Sequence, residues 1–132
     1  MVFALLYAIL IPTIIISIIA LRDSEIFDKL KFNASHIYQA KEWHRFVSYG
    51  VIHADYIHLA VNMYVLWSFG KIVLYDFHIL FENLANIYFL ILYIPALAIS
   101  VIPSYFKNRN NYHYNAVGAS GAVSAVVYAA II

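Results

Sequence analysis

The first 21 residues, Met1 to Leu21, contain no charged side chain. A helix of that length rises about 30 Å, the thickness of a bilayer's hydrocarbon core. Its one interruption is Pro12, which a membrane helix accommodates when neighbours re-satisfy the carbonyl the proline frees. The competing reading is a cleaved signal peptide, but that needs a basic start and a shorter apolar core, and nothing basic precedes Val2. The segment reads as an anchor.

The rest of the chain agrees. Of 132 residues, 64% are apolar and 11% charged, and the mean hydropathy is +0.78. Soluble domains are about 45–50% apolar and about 25% charged, so a water-soluble fold is excluded. Disorder is excluded by the same figures. Eight Lys and Arg against seven Asp and Glu leave a net charge of +1, no electrostatic basis for binding nucleic acid. Without cysteine there is no disulfide, thiolate metal site or thiol nucleophile. The length allows one domain. The expectation is an all-α membrane protein, a polytopic helical bundle in contact with the lipid bilayer.

Spans are expected at about 1–21, 53–70, 84–102 and 116–132. The connection from Arg22 to Tyr49 mixes charge with Phe27, Phe32, Tyr38, Trp43 and Phe46, a pattern suited to short helices at the membrane surface. Asp55 is placed to N-cap the second span, and Gly70 and Lys71 mark its expected stop. Pro103 ends the third span, and a polar stretch from Ser104 to Asn115 leads to the fourth. The first and third connections hold seven of the eight Lys and Arg, with Lys71 alone in the second, so the positive-inside rule puts the richer two in the cytoplasm.

Two groups of polar residues stand out against this background. The first contains His53, His58 and Asn62. At 100° per residue, His58 and Asn62 lie about 40° apart and share a helix face. Such a pair can donate hydrogen bonds to an oxyanion, or can act as interhelical glue that performs no chemistry. Metal or haem binding fits poorly: the two histidines are five residues apart with no intervening Glu, unlike a zinc-protease pair. No metal and no cofactor are expected. The second group is Gly118-Ala119-Ser120-Gly121. Small residues allow close helix approach, which suffices to explain them. Ser120, however, falls near the start of its helix, where unpaired backbone N–H groups and the helix dipole favour negative charge.

Together these motifs resemble the rhomboid family of intramembrane serine proteases. The resemblance covers roughly Glu42 to Ile132 and rests on Arg45-Phe46-Val47-Ser48, His53-x4-His58-x3-Asn62-Met63, Phe69-Gly70 and Gly118-Ala119-Ser120-Gly121, in the family's order. It implies a Ser–His dyad with Ser120 as nucleophile, Asn62 and His58 in the oxyanion hole, and His53, Gly118, Gly121 and Arg45 in supporting positions. It also implies transmembrane protein substrates and a multi-pass location, here expected in the plasma or inner membrane of a bacterium. The family's tryptophan–arginine pair appears as Trp43-His44-Arg45, with the tryptophan displaced by one. Four of the family's six spans are expected here. The dyad histidine belongs on the sixth and is expected beyond Ile132, so the chain as given should hydrolyse peptides poorly. Family members open their active site away from the cytoplasm, opposite to the charge count. The other functions left open are an inactive rhomboid-like protein that binds transmembrane clients and a structural membrane subunit.

Overall fold

The computed structural model describes residues 2–132; Met1, the first residue of the expected anchor, lies outside them. The described residues are mostly helical, with no strand among them. Helix α1 (Ala4–Arg22) fills the expected first span. Its buried residues, Leu6, Leu10, Thr13, Ser17 and Ala20, recur at alternating spacings of four and three, a seam on a helix that packs against α5 and against the first connection. Its other faces carry exposed Ile11, Ile15 and Ile19. Exposed branched apolar side chains also cover α5 (Ile57, Val61, Ile72, Ile79) and α6 (Ile87, Ile91, Ile94). A helix apolar on every face belongs in lipid or a large core.

The first connection folds into α2 (Ser24–Leu30), α3 (Ala34–Ala40), α4 (Arg45–Ser48) and a 3₁₀ turn, Tyr49–Val51. Asp23 caps α2 by accepting the Glu25 and Ile26 N–H groups, and Asn33 caps α3 by accepting the His36 N–H at 2.9 Å. Arg45 is 5% exposed. Its guanidinium donates to the carbonyls of Asp28 and Lys31, at 2.6 and 2.8 Å, and to the Glu42 carboxylate at 2.8 Å. The charge is buried but paired, and each guanidinium nitrogen has a partner, the condition under which burial is tolerated. The Arg45 guanidinium holds the Glu42 carboxyl below its ordinary range. The displaced Trp43 is accommodated: it stacks on Phe46 and meets Tyr105.

Asp55 caps α5 (Tyr56–Phe81) as expected, accepting the His58 N–H at 2.8 Å. The expected stop at Gly70 and Lys71 is wrong. The helix continues to Phe81, and Gly70 is not a terminus but a position against which Leu6 of α1 packs. A Cβ there would lie 2.7 Å from the Leu6 Cδ1. Lys71 stays in the helix with its ammonium 3.6 Å from the Trp67 ring centroid. Glu82, at φ +50°, turns the chain through a short 3₁₀ segment into α6 (Ala85–Ser100), which packs on α5. Pro103 does not simply end the third span; it lies in the first turn of a further short helix, α7 (Ile102–Asn108), where a missing N–H costs nothing. The helix expected from Ala116 starts later, at Ser120, as α8 (Ser120–Ile131).

Among the described residues, two helical stretches are long and apolar enough to cross a membrane, Ala4–Arg22 and Tyr56–Asn108, the second comprising α5, α6 and α7. Helix α8 packs against both α5 and α6.

Candidate active site

The segment that delivers Ser120 is held by the first connection. Phe32 and Ala116 exchange both backbone hydrogen bonds, at 2.9 and 3.0 Å. The Asn33 amide donates to the Tyr112 carbonyl and to Asn115 Oδ1, at 2.8 and 2.9 Å, and the Gly118 N–H donates to the Tyr49 carbonyl at 3.0 Å. Arg45 ties the same connection together through the Asp28 and Lys31 carbonyls. The two basic connections therefore pack together, at the end of the bundle where the polar residues lie.

The turn into α8 depends on Gly118. Its φ is +106°, a conformation that side chains with a Cβ rarely adopt. The next residue, Ala119, is buried and donates its N–H to His53 Nε2 at 3.3 Å. Ser120 then opens the helix with its side chain exposed, so the N–H groups of the first turn have no intrahelical acceptor. Gly121 serves a different end. Ser100 of α6 lies directly against it, so a Cβ at Gly121 would stand 2.7 Å from the Ser100 Cβ. One glycine sets the backbone turn and the other the helix contact.

Across from Ser120, α5 presents His58 and Asn62. Both line one cleft of about 300 Å³ together with His53, Gly118 and Ser120. A second groove, of about 380 Å³, runs down between α5 and α8 and shares Asn62 and Ser120 with the first. Ser120 and Asn62 thus sit where a polar mouth meets an apolar channel lined by Val65, Val123 and Val127. The exposed His58 ring turns Nδ1 toward Asp55 Oδ2, at 2.7 Å. A nitrogen facing a carboxylate carries the proton, which leaves Nε2 free. That nitrogen accepts a hydrogen bond when the ring is neutral and donates one when it is cationic. Chemically, the cleft offers a hydroxyl, an amide donor, a histidine and helix N-terminal N–H groups, the parts from which an acyl-transfer site is built.

His53 forms part of the wall of this cleft without reaching solvent. The ring is fully buried, with Nδ1 3.0 Å from Ser17 Oγ of α1. The spacing of the α5 polar residues carried no sign of Ser17, which lies 36 residues from His53. The signal available was a hydroxyl within the uncharged run, which Ser17 shares with Thr13. Tyr49 was also missed; its hydroxyl donates to the Leu97 carbonyl at 2.6 Å while its own carbonyl holds Gly118. Among the described residues, no group of three His, Asp or Glu is placed to hold a metal ion.

No curated protein matches this sequence. A family model, the Rhomboid domain, matches residues 40–132, which include every polar residue of the cleft and the whole of α5, α6, α7 and α8. With the greater part of its length matched, the chain belongs to the rhomboid family of integral membrane proteins.

Proposed function

We propose that the chain is the Ser120-bearing part of an intramembrane serine endopeptidase that cleaves transmembrane segments of other membrane proteins. The observation that carries this reading is the single cleft shared by Ser120, Asn62 and His58 at the N-terminus of α8. In the proposed reaction a histidine base, expected on a helix beyond Ile132, takes the Ser120 hydroxyl proton as Oγ attacks the scissile carbonyl carbon. The tetrahedral oxyanion is met by the Asn62 amide, by the His58 imidazole and by backbone N–H at the start of α8. The base then protonates the leaving amine, and water releases the acyl group from Ser120 by the reverse path. His53, Gly118, Gly121 and Arg45 support the geometry from outside the reacting atoms. The groove between α5 and α8 suits an apolar segment, and a substrate helix must unwind there to expose its carbonyl.

Four crossings, by α1, α5, α6 and α8, are part of the proposal. Helix α5 has 26 residues and rises about 39 Å, more than a hydrocarbon core requires. Helix α8, with 12 residues, rises about 18 Å and begins below the membrane surface if its start lies in a wet cleft.

The test is proteolysis of a transmembrane reporter by the full-length protein in proteoliposomes. Cleavage that is abolished by Ser120→Ala and reduced about 10²–10³-fold by Asn62→Ala supports the reading. A folded protein that binds the reporter without cleaving it is the inactive homologue instead.

A further inference from the structure

The hydrogen bonds around His53 have only one consistent assignment of protons. Ser17 Oγ lies 2.7 Å from the Val51 carbonyl and 3.0 Å from His53 Nδ1. A carbonyl only accepts, so the hydroxyl's single proton goes to Val51, and the oxygen must accept from Nδ1. At the opposite side of the ring the Ala119 N–H points at Nε2 from 3.3 Å, which requires a bare lone pair there. Both ends give the same answer: a neutral ring protonated on Nδ1. The result is a directed chain, Ala119 N–H to His53 Nε2, His53 Nδ1–H to Ser17 Oγ, and Ser17 O–H to the Val51 carbonyl. Every side chain in it is buried, and the His53 ring also faces Gly118, whose missing Cβ would lie 3.6 Å from its Cδ2.

We infer that Ser17 of α1 is a positioning residue for Ser120: it locks His53 in the Nδ1–H tautomer, and the bare Nε2 then holds the Ala119 N–H and with it the turn that sets Ser120. Ser17 lies outside the region matched by the family model, so the element that tunes the turn is contributed by the N-terminal helix. The mechanism is specific to the hydroxyl. In Ser17→Ala the ring loses the acceptor for Nδ1–H, and the Nε2–H tautomer becomes accessible. That tautomer sets N–H against the Ala119 N–H and releases the turn. A shift of about 1 Å in a reacting atom can cost about a hundredfold in rate, so even partial release is visible.

The consequence for reactivity rests on Ser120 being the nucleophile; the tautomer does not, so the test has two arms. The first is ¹⁵N NMR of histidine-labelled full-length protein in bicelles, with the His53 signal assigned through His53→Phe. The expected result is a neutral ring protonated on Nδ1 in the parent and a mixture of tautomers in Ser17→Ala. A parent ring protonated on Nε2, or a tautomer unchanged by Ser17→Ala, overturns the proposal. The parent spectrum decides alone if Ser17→Ala does not fold. The second arm is the rate of fluorophosphonate labelling per folded molecule, expected to fall about tenfold or more in Ser17→Ala. Leu10→Ala, on the same α1 seam, controls for lost helix packing: it should lower the melting temperature and leave that rate in place. A labelled parent whose rate is unchanged in Ser17→Ala overturns the positioning role. A parent that shows the Nδ1–H ring but is never labelled removes Ser120 as nucleophile, and the positioning role with it, while the hydrogen-bond chain itself stands.

Discussion

Gly121 is the place where a single methyl group tests how α8 is held. A Cβ built there lies 2.7 Å from the Ser100 Cβ, with the Ser100 hydroxyl oxygen closer still. The hydroxyl can rotate away, but the Cβ is fixed to the α6 backbone. Ordinary contact begins near 3.4 Å, so Gly121→Ala forces α6 and α8 apart by about 0.7 Å or distorts one of them. Overpacking of this kind costs about 1–3 kcal/mol, against a gain of at most about 1 kcal/mol from replacing glycine by alanine within a helix. The net expectation runs from about neutral to a loss of about 3 kcal/mol, read by denaturant or thermal unfolding in detergent. The partner substitution identifies the cause. Ser100→Ala removes the oxygen and leaves the Cβ contact, so it should not rescue Gly121→Ala. Ser100→Gly removes both atoms, leaving the Ala96 carbonyl at 3.8 Å as the next neighbour, while Tyr49 keeps its 2.6 Å bond to the Leu97 carbonyl. The Gly121→Ala/Ser100→Gly pair should therefore show a favourable coupling of about 1–3 kcal/mol. A clearly stabilising Gly121→Ala, or a cycle without coupling, refutes the reasoning.

Two other expectations concern the first connection. Because Arg45 depresses the Glu42 carboxyl, its ion pair stabilises the fold above the ordinary carboxyl value of 4.5, and that contribution is lost as pH falls through the lowered folded value. Melting temperature should accordingly decline on acidification below about pH 4.5 less steeply in Glu42→Gln than in the parent; equal slopes count against the pair. The packing of Phe32 on Ala116 and of Asn33 on Tyr112 places both basic connections at one end of the bundle. Single cysteines at Lys29 and Tyr112 should react with an impermeant maleimide from the same side of the membrane, and one at Glu82 from the other. Labelling of Lys29 and Tyr112 from opposite sides contradicts the arrangement.

What could be read in the sequence was local. The Asp55 cap needs only the carboxylate three residues before the N–H it accepts, and the His58–Asn62 face needs only helical periodicity. The uncharged run to Leu21 became α1 for the same reason. Gly70 misled because the usual link between glycine and a helix end assumes exposed backbone. Here the glycine makes room for Leu6, and apolar residues continue beyond it. The start of α8 was read too early, at Ala116, because small apolar residues continue the hydropathy of the helix into the segment before it. What stops the helix there is tertiary: Phe32 pairs with Ala116, Tyr49 holds Gly118, and Gly118 turns through positive φ. Sequence placed the two glycines together as packing residues, whereas their roles separate only when the Ser100 contact and the backbone turn are seen. The His53–Ser17 link, across 36 residues, depends on how α1 lies along the bundle, and no periodicity encodes it.

The central claim is that Ser120 is a nucleophile held ready at the start of α8. It is tested most directly by treating the folded full-length protein with a fluorophosphonate and mapping the adduct by mass spectrometry. The account predicts one adduct per chain, on Ser120, absent in Ser120→Ala and much slower to form in Asn62→Ala. A folded protein that remains unmodified, or that is modified at another serine while Ser120 stays free, contradicts it.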